Sequence, residues 1–139
     1  MGWPAAARRD KLKAQQRETL LMLLSLYLGF ILFTAMGAGL LWQPQYLTRL
    51  TGVELTTVES RNEVRAVYGG FGVAMAIALF IALVWSPLRG GICLTIGLAL
   101  IGMAAGRGYS WWLERTSSTT VWGFFVGELV LGILLFFQI

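Results

Sequence analysis

The stretch Val121-Trp122-Gly123-Phe124-Phe125-Val126-Gly127-Glu128-Leu129-Val130-Leu131-Gly132-Ile133-Leu134-Leu135-Phe136-Phe137 decides the fold. Apart from Glu128 it is apolar or glycine throughout. A helix of about 20 residues, rising ~1.5 Å per residue, crosses the ~30 Å hydrocarbon core of a bilayer. An ionised side chain at that depth costs roughly 2.5–3.5 kcal/mol on insertion scales for the expensive residue types. Glu128 therefore has to be protonated, paired or functional, and the reading of the chain turns on its partner.

Working outward, the 139-residue chain is 57% hydrophobic and only 13% charged, where soluble domains carry about a quarter charged residues. Four apolar segments appear, at about 19–42, 61–85, 91–108 and 120–139. None has the polar face of a soluble helix, and none alternates like a barrel strand. The expected fold is all-α: an integral membrane four-helix bundle, up-down-up-down, in one domain at 19–139, preceded by a basic arm at 1–18. Trp42-Gln43-Pro44 follows the first segment in place of a small-residue cleavage site, so that segment reads as a retained span.

Residue types also exclude chemistry. There is no histidine and one cysteine, so the usual general base, most transition-metal sites and any intrachain disulfide are ruled out. Cys93 sits in an apolar run and reads as a small core residue. No serine or cysteine has an evident activator. The expectation is a protein that is not an enzyme, with no cofactor and no metal site.

Charge sets the expected orientation. Arg8, Arg9, Lys11, Lys13 and Arg17 precede the first span, and Arg89 lies in the turn Ser86-Pro87-Leu88-Arg89-Gly90-Gly91 expected between the second and third. By the positive-inside rule both are cytoplasmic, as are both termini, in a bacterial inner membrane. Those six bases, against Asp10 and Glu18, carry the whole formal charge of +4. The basic balance then reflects topology and lipid contact, not nucleic acid. Trp42, Tyr46, Tyr109, Trp111, Trp112 and Trp122 mark the opposite boundary. The arm favours helix; it reads as an interfacial helix or an extension of the first span held by anionic lipid, or as a docking arm for a partner.

In the long connection Gln43 to Ser60, Pro44 can open a short helix and Gly52 can close it, with Tyr46, Leu47 and Leu50 on an apolar side facing the membrane surface. Ser60-Arg61-Asn62-Glu63 reads as a capping box opening the second span.

Five polar groups fall in the outer half of this arrangement: Glu63, Arg65, Tyr68, Arg107 and Glu128. Arg107 or Arg65 is the expected partner of Glu128, with Arg107 placed first. Each group also has a purely structural reading. Glu63 serves as the capping-box acid, Arg107 complements a helix C-terminus, Tyr68 makes an ordinary hydrogen bond, and a buried ion pair fixes helix register at Glu128. The functional reading is a pocket for a lipid headgroup, a carboxylate ligand or a proton. Gly70, Ala74 and Ala78, with Gly102 and Gly106, and Gly123 and Gly127, form small-residue seams suited to close helix packing in lipid. Gly69-Gly70-x-Gly72 follows no strand and is not a nucleotide loop.

The run Glu63-Val64-Arg65-Ala66-Val67-Tyr68-Gly69-Gly70 resembles the E-x-R-x-x-Y-G-G signature of a small bacterial four-helix membrane family, domain-of-unknown-function family 4345. Pro44 after the first span, Gly106-Arg107 ending the third and Glu128 within the fourth agree in order, so the resemblance covers about residues 20–138. It implies a four-helix bundle with no established activity. Carried across, its marked polar positions fall on the same five residues. The charged stretch 1–17 departs from the family's usual short N-terminus.

Three functions compete at this level. The first is a non-catalytic accessory or assembly subunit packed against a larger membrane complex, its partners being membrane lipids and other membrane subunits. The alternative is a small-molecule or lipid-binding protein using the outer polar pocket. A proton-coupled carrier or membrane enzyme ranks below both, because four short spans lack inverted repeats and broken helices.

Overall fold

The computed structural model describes residues 5–115 and 118–138. Residues 1–4 of the expected arm and Ile139 of the last span lie outside the described residues. Among those described, the chain forms five helices and no strand: α1 Ala5–Trp42, α2 Gln45–Thr51, α3 Val58–Val84, α4 Ser86–Glu114 and α5 Thr119–Phe136. α1, α3, α4 and α5 are long and apolar enough to cross a membrane, so the chain is a multi-pass membrane protein.

Local chemistry sets the helix ends. Gly52, at φ 76°, closes α2 by donating its N–H to the Thr48 carbonyl; only glycine adopts that left-handed backbone without a Cβ penalty. Pro44 precedes α2 as expected. Of the three apolar residues expected to face the membrane surface, however, Leu47 turns inward and is buried with Leu40 and Val64. α3 opens at Thr57, not Ser60. The Thr57 hydroxyl accepts from the Ser60 N–H at 3.0 Å, and the Ser60 hydroxyl accepts from the Thr57 N–H at 3.3 Å. Ser60 therefore fills the third-residue role that was expected of Glu63. Glu63 is left exposed in the second turn.

The expected turn Ser86–Gly91 is helical. The break is Trp85 alone, at φ −127° and ψ 89°, and Pro87 lies in the first turn of α4, where its missing N–H has no helical acceptor to lose. Arg89 Nε donates to the Ala82 carbonyl at 2.9 Å, satisfying an end group of α3. At its far end α4 runs to Glu114, beyond the expected stop near Gly108. Gly108 packs against Phe125 there, and Arg115 closes the helix at φ 44°. Arg107 is thus inside a helix and does not cap its C-terminus.

Contacts tie the end of α5 and the start of α4 to the middle of α1. The Gln138 Nε2 donates to the Ser25 hydroxyl at 2.8 Å, and Arg89 reaches the Met22 sulfur at 3.6 Å. All four long helices contribute to one buried cluster toward this basic end: Leu26, Leu79, Ala82, Cys93, Ile96, Leu100, Leu131 and Leu135. Lipid tails are as apolar as leucine, so close approach, and not exclusion of water, holds such helices together.

The close approaches lie on faces other than the expected seams. A Cβ on Gly37 would stand 2.6 Å from the Val73 nitrogen, and one on Gly72 would stand 2.9 Å from the Gly37 Cα. α1 and α3 therefore cross backbone to backbone. Gly97 and Gly132 do the same for α4 and α5, each added Cβ lying 3.2 Å from the other's carbonyl oxygen. Gly102, Gly106, Gly123 and Gly127 face open space, and Ala74 is exposed. Gly70 and Ala78 are half-buried, Ala78 packing against the cluster. The buried face of α3 is instead Gly69, Gly72, Ala76, Leu79 and Ala82. Steps of four residues drift about 40° per step around a helix, so the expected Gly70-Ala74-Ala78 stripe turns off the contact face.

The basic residues occupy one unbroken helix. α1 passes residue 18 without interruption, and residues 8–21 are exposed throughout. With Met22 level with Arg89, the segment from Ala5 to Leu21 overhangs the other helices by about 25 Å at helical rise.

Candidate functional site

Arg107 on α4 and Glu128 on α5 form the polar centre of the half opposite the basic end. Arg107 Nε donates to Glu128 Oε2 at 2.8 Å, and Nη2 donates to Oε1 at 2.8 Å. The Glu128 side chain is 8% exposed and that of Arg107 29%. Glu128 shares the inward face of α5 with Leu131, Gly132 and Leu135, so its charge must be met inside the chain. A bidentate guanidinium meets it with charge-assisted bonds to both oxygens.

An aromatic ring stands beside Arg107. Its Cζ stands 5.0 Å from the Phe124 ring centroid, a cation–π distance. Phe124 lies four residues before Glu128, one turn along the same face of α5. Tyr68 on α3 lies within electrostatic reach of the guanidinium. It is carried by the π-helical turn Arg65–Gly70, in which the Phe71 N–H bonds to the Ala66 carbonyl. Wide turns of this kind occur often at functional sites.

The other two expected residues are elsewhere. Arg65 Nε donates to the Leu41 carbonyl at 3.3 Å, capping the end of α1. Glu63 stands exposed on α3. The structure thus pairs Arg107 with Glu128 and decides the choice of arginine, while Tyr68 on α3 makes no hydrogen bond to either. Phe124 was missed in the sequence reading, although its four-residue spacing from Glu128 was a usable signal. The π turn had no such signal. The Arg8, Arg9, Lys11, Lys13 and Arg17 side chains are all exposed on the α1 overhang, away from this centre.

Aromatic residues frame the same end. Trp111 and Trp122 meet edge to face at 5.7 Å, and Trp122 meets Phe125 at 5.5 Å. Tyr109 and Trp112 pack at 6.1 Å, both largely exposed. Trp and Tyr with an apolar body and a polar tip favour the headgroup level of a bilayer.

A family model described as Domain of unknown function (DUF4345) matches residues 19–138. No curated protein and no solved structure matches the chain.

Proposed function

Because this chain belongs to the family described as Domain of unknown function (DUF4345), we propose that it is a non-catalytic accessory or assembly subunit, packed against a larger integral membrane complex. Its place is a bacterial cytoplasmic membrane with both termini on the cytoplasmic side, in contact with lipid and with other membrane subunits. The observation that carries this reading is the α1 overhang. A charged helical segment about 25 Å long, exposed along residues 8–21, is marginal in water without tertiary packing. Its bases lie at several angles around the helix, which suits contact with a partner better than lying flat on lipid. The open faces at Gly102 and Gly106 on α4, and at Gly123 and Gly127 on α5, offer further seams for helices of another subunit.

The test is extraction from native membranes in a mild detergent, followed by size separation and mass spectrometry of the fraction. Co-migration with a large complex at fixed stoichiometry is expected. That complex should be lost on charge reversal of Arg8, Arg9 and Lys13. Migration as a monomer, with residues 5–21 open to protease, would refute the reading.

A further inference from the structure

The way Glu128 grips Arg107 leaves a second binding edge. A guanidinium carries five N–H donors in a rigid plane. Glu128 takes the side edge, through Nε and Nη2. The end edge, formed by Nη1 and the remaining Nη2 hydrogen, donates to no acceptor among the described residues. That edge is itself a fork of two near-parallel N–H groups, the geometry that matches two oxygens of one oxoanion.

Two neighbours hold the fork in place before any ligand arrives. Glu128 sets the plane of the guanidinium, and Phe124 stands against it at 5.0 Å. Such preorganisation lowers the ordering cost of binding. An anion on the end edge would occupy the neighbouring edge of the same plane and share Nη2 with Glu128, so one guanidinium would bridge the two negative groups. Depth points to the same class of ligand. Trp111 is one helical turn beyond Arg107, about 6 Å along the axis, and aromatic belts mark the headgroup level. Arg107 then lies just beneath the phosphate groups of one leaflet.

We infer that the end edge of Arg107 forms a phosphate-binding site, with Glu128 as the positioning residue that orients the guanidinium and Phe124 as the ring beneath it. The phosphate comes from a lipid headgroup or from free phosphate. This site is independent of the accessory role: a bound phosphate neither requires nor excludes a partner complex.

The test uses the full chain, delipidated in dodecyl maltoside, with dihexanoyl phosphatidylglycerol and inorganic phosphate as separate probes. Native mass spectrometry reads the adduct, and intrinsic tryptophan fluorescence reads the titration. Arg107→Lys keeps the charge beside Glu128 but lacks the fork, and should weaken phosphatidylglycerol retention about tenfold or more, the loss expected for a charge-assisted hydrogen bond. Arg65→Lys should leave it unchanged. Competition by inorganic phosphate would assign the site to the free anion; retention of the lipid alone would assign it to a headgroup. Both support the site. A wild-type chain that retains neither probe overturns it, as does a folded Arg107→Lys chain that binds as well as wild type. If Arg107→Lys fails to fold, the wild-type chain decides: dihexanoylglycerol, which lacks the phosphate, should be retained about tenfold more weakly or less, and equal retention overturns the proposal.

Discussion

Arg107 meets both oxygens of Glu128 along one edge of its guanidinium, at 2.8 Å each, and so joins α4 to α5 within the apolar depth of the bundle. Glu128, with its side chain 8% exposed, has little access to water if Arg107 is lost.

Removing one partner should therefore be far worse than removing both. Arg107→Ala or Glu128→Leu is expected to cost about 3 kcal/mol, while Arg107→Met with Glu128→Leu recovers most of it. Helicity followed against dodecyl sulfate fraction in mixed micelles measures this. A double variant as weak as the singles would show that the pair does not act as a unit.

The two kinds of glycine should separate cleanly. Gly37→Ala and Gly72→Ala force α1 and α3 apart, because the new Cβ meets backbone at 2.6 and 2.9 Å. Overpacking of that kind costs roughly 1–3 kcal/mol. Gly102→Ala and Gly106→Ala meet nothing within the chain, and should stay within about 0.5 kcal/mol of wild type in the same assay.

Bulk on the open faces tests the accessory reading separately. Gly106→Leu and Gly123→Leu should leave the isolated chain folded and lower its recovery with the complex. Undiminished recovery would place the partner contact elsewhere.

Arg89 holds the short connection between α3 and α4 through the Ala82 carbonyl. Arg89→Ala should cost about 1 kcal/mol, the usual net worth of such a bond. Faster hydrogen exchange confined to amides around Trp85 would report it. Unchanged exchange there would count against a capping role.

Trypsin should cut the isolated chain after Arg8, Arg9, Lys11, Lys13 or Arg17, all exposed on the overhang, well before it cuts after Arg107. Protease sensitivity follows local exposure and local opening. Equal rates at Arg17 and Arg107 would mean that the bundle itself opens.

Much of this fold was legible from residues alone, and the pattern of misses is physical. Span number follows from length and apolarity, properties that local sequence contains. Helix ends were less legible. Pro87 and Gly90-Gly91 look like a turn, yet a proline in the first helical turn loses no hydrogen bond, so α4 starts there. Thr57 and Ser60 form the capping box that Glu63 seemed to complete. At the candidate site, the sequence reading named Tyr68, Arg107 and Glu128 but could not separate them from Glu63 and Arg65, because depth along a helix says nothing of the direction a side chain takes around it.

By itself, the sequence determined a membrane protein with four spanning helices, a charged leading segment and an acid at bilayer depth that needs a partner. Only the tertiary structure decided which arginine meets Glu128, which glycines touch and which face outward, and which edge of Arg107 stays open. Successive residues on a helix point about 100° apart, so the rotation of each helix about its own axis selects these pairings. That rotation is set by all four helices packing at once, with Gly37 against Gly72 and Gly97 against Gly132.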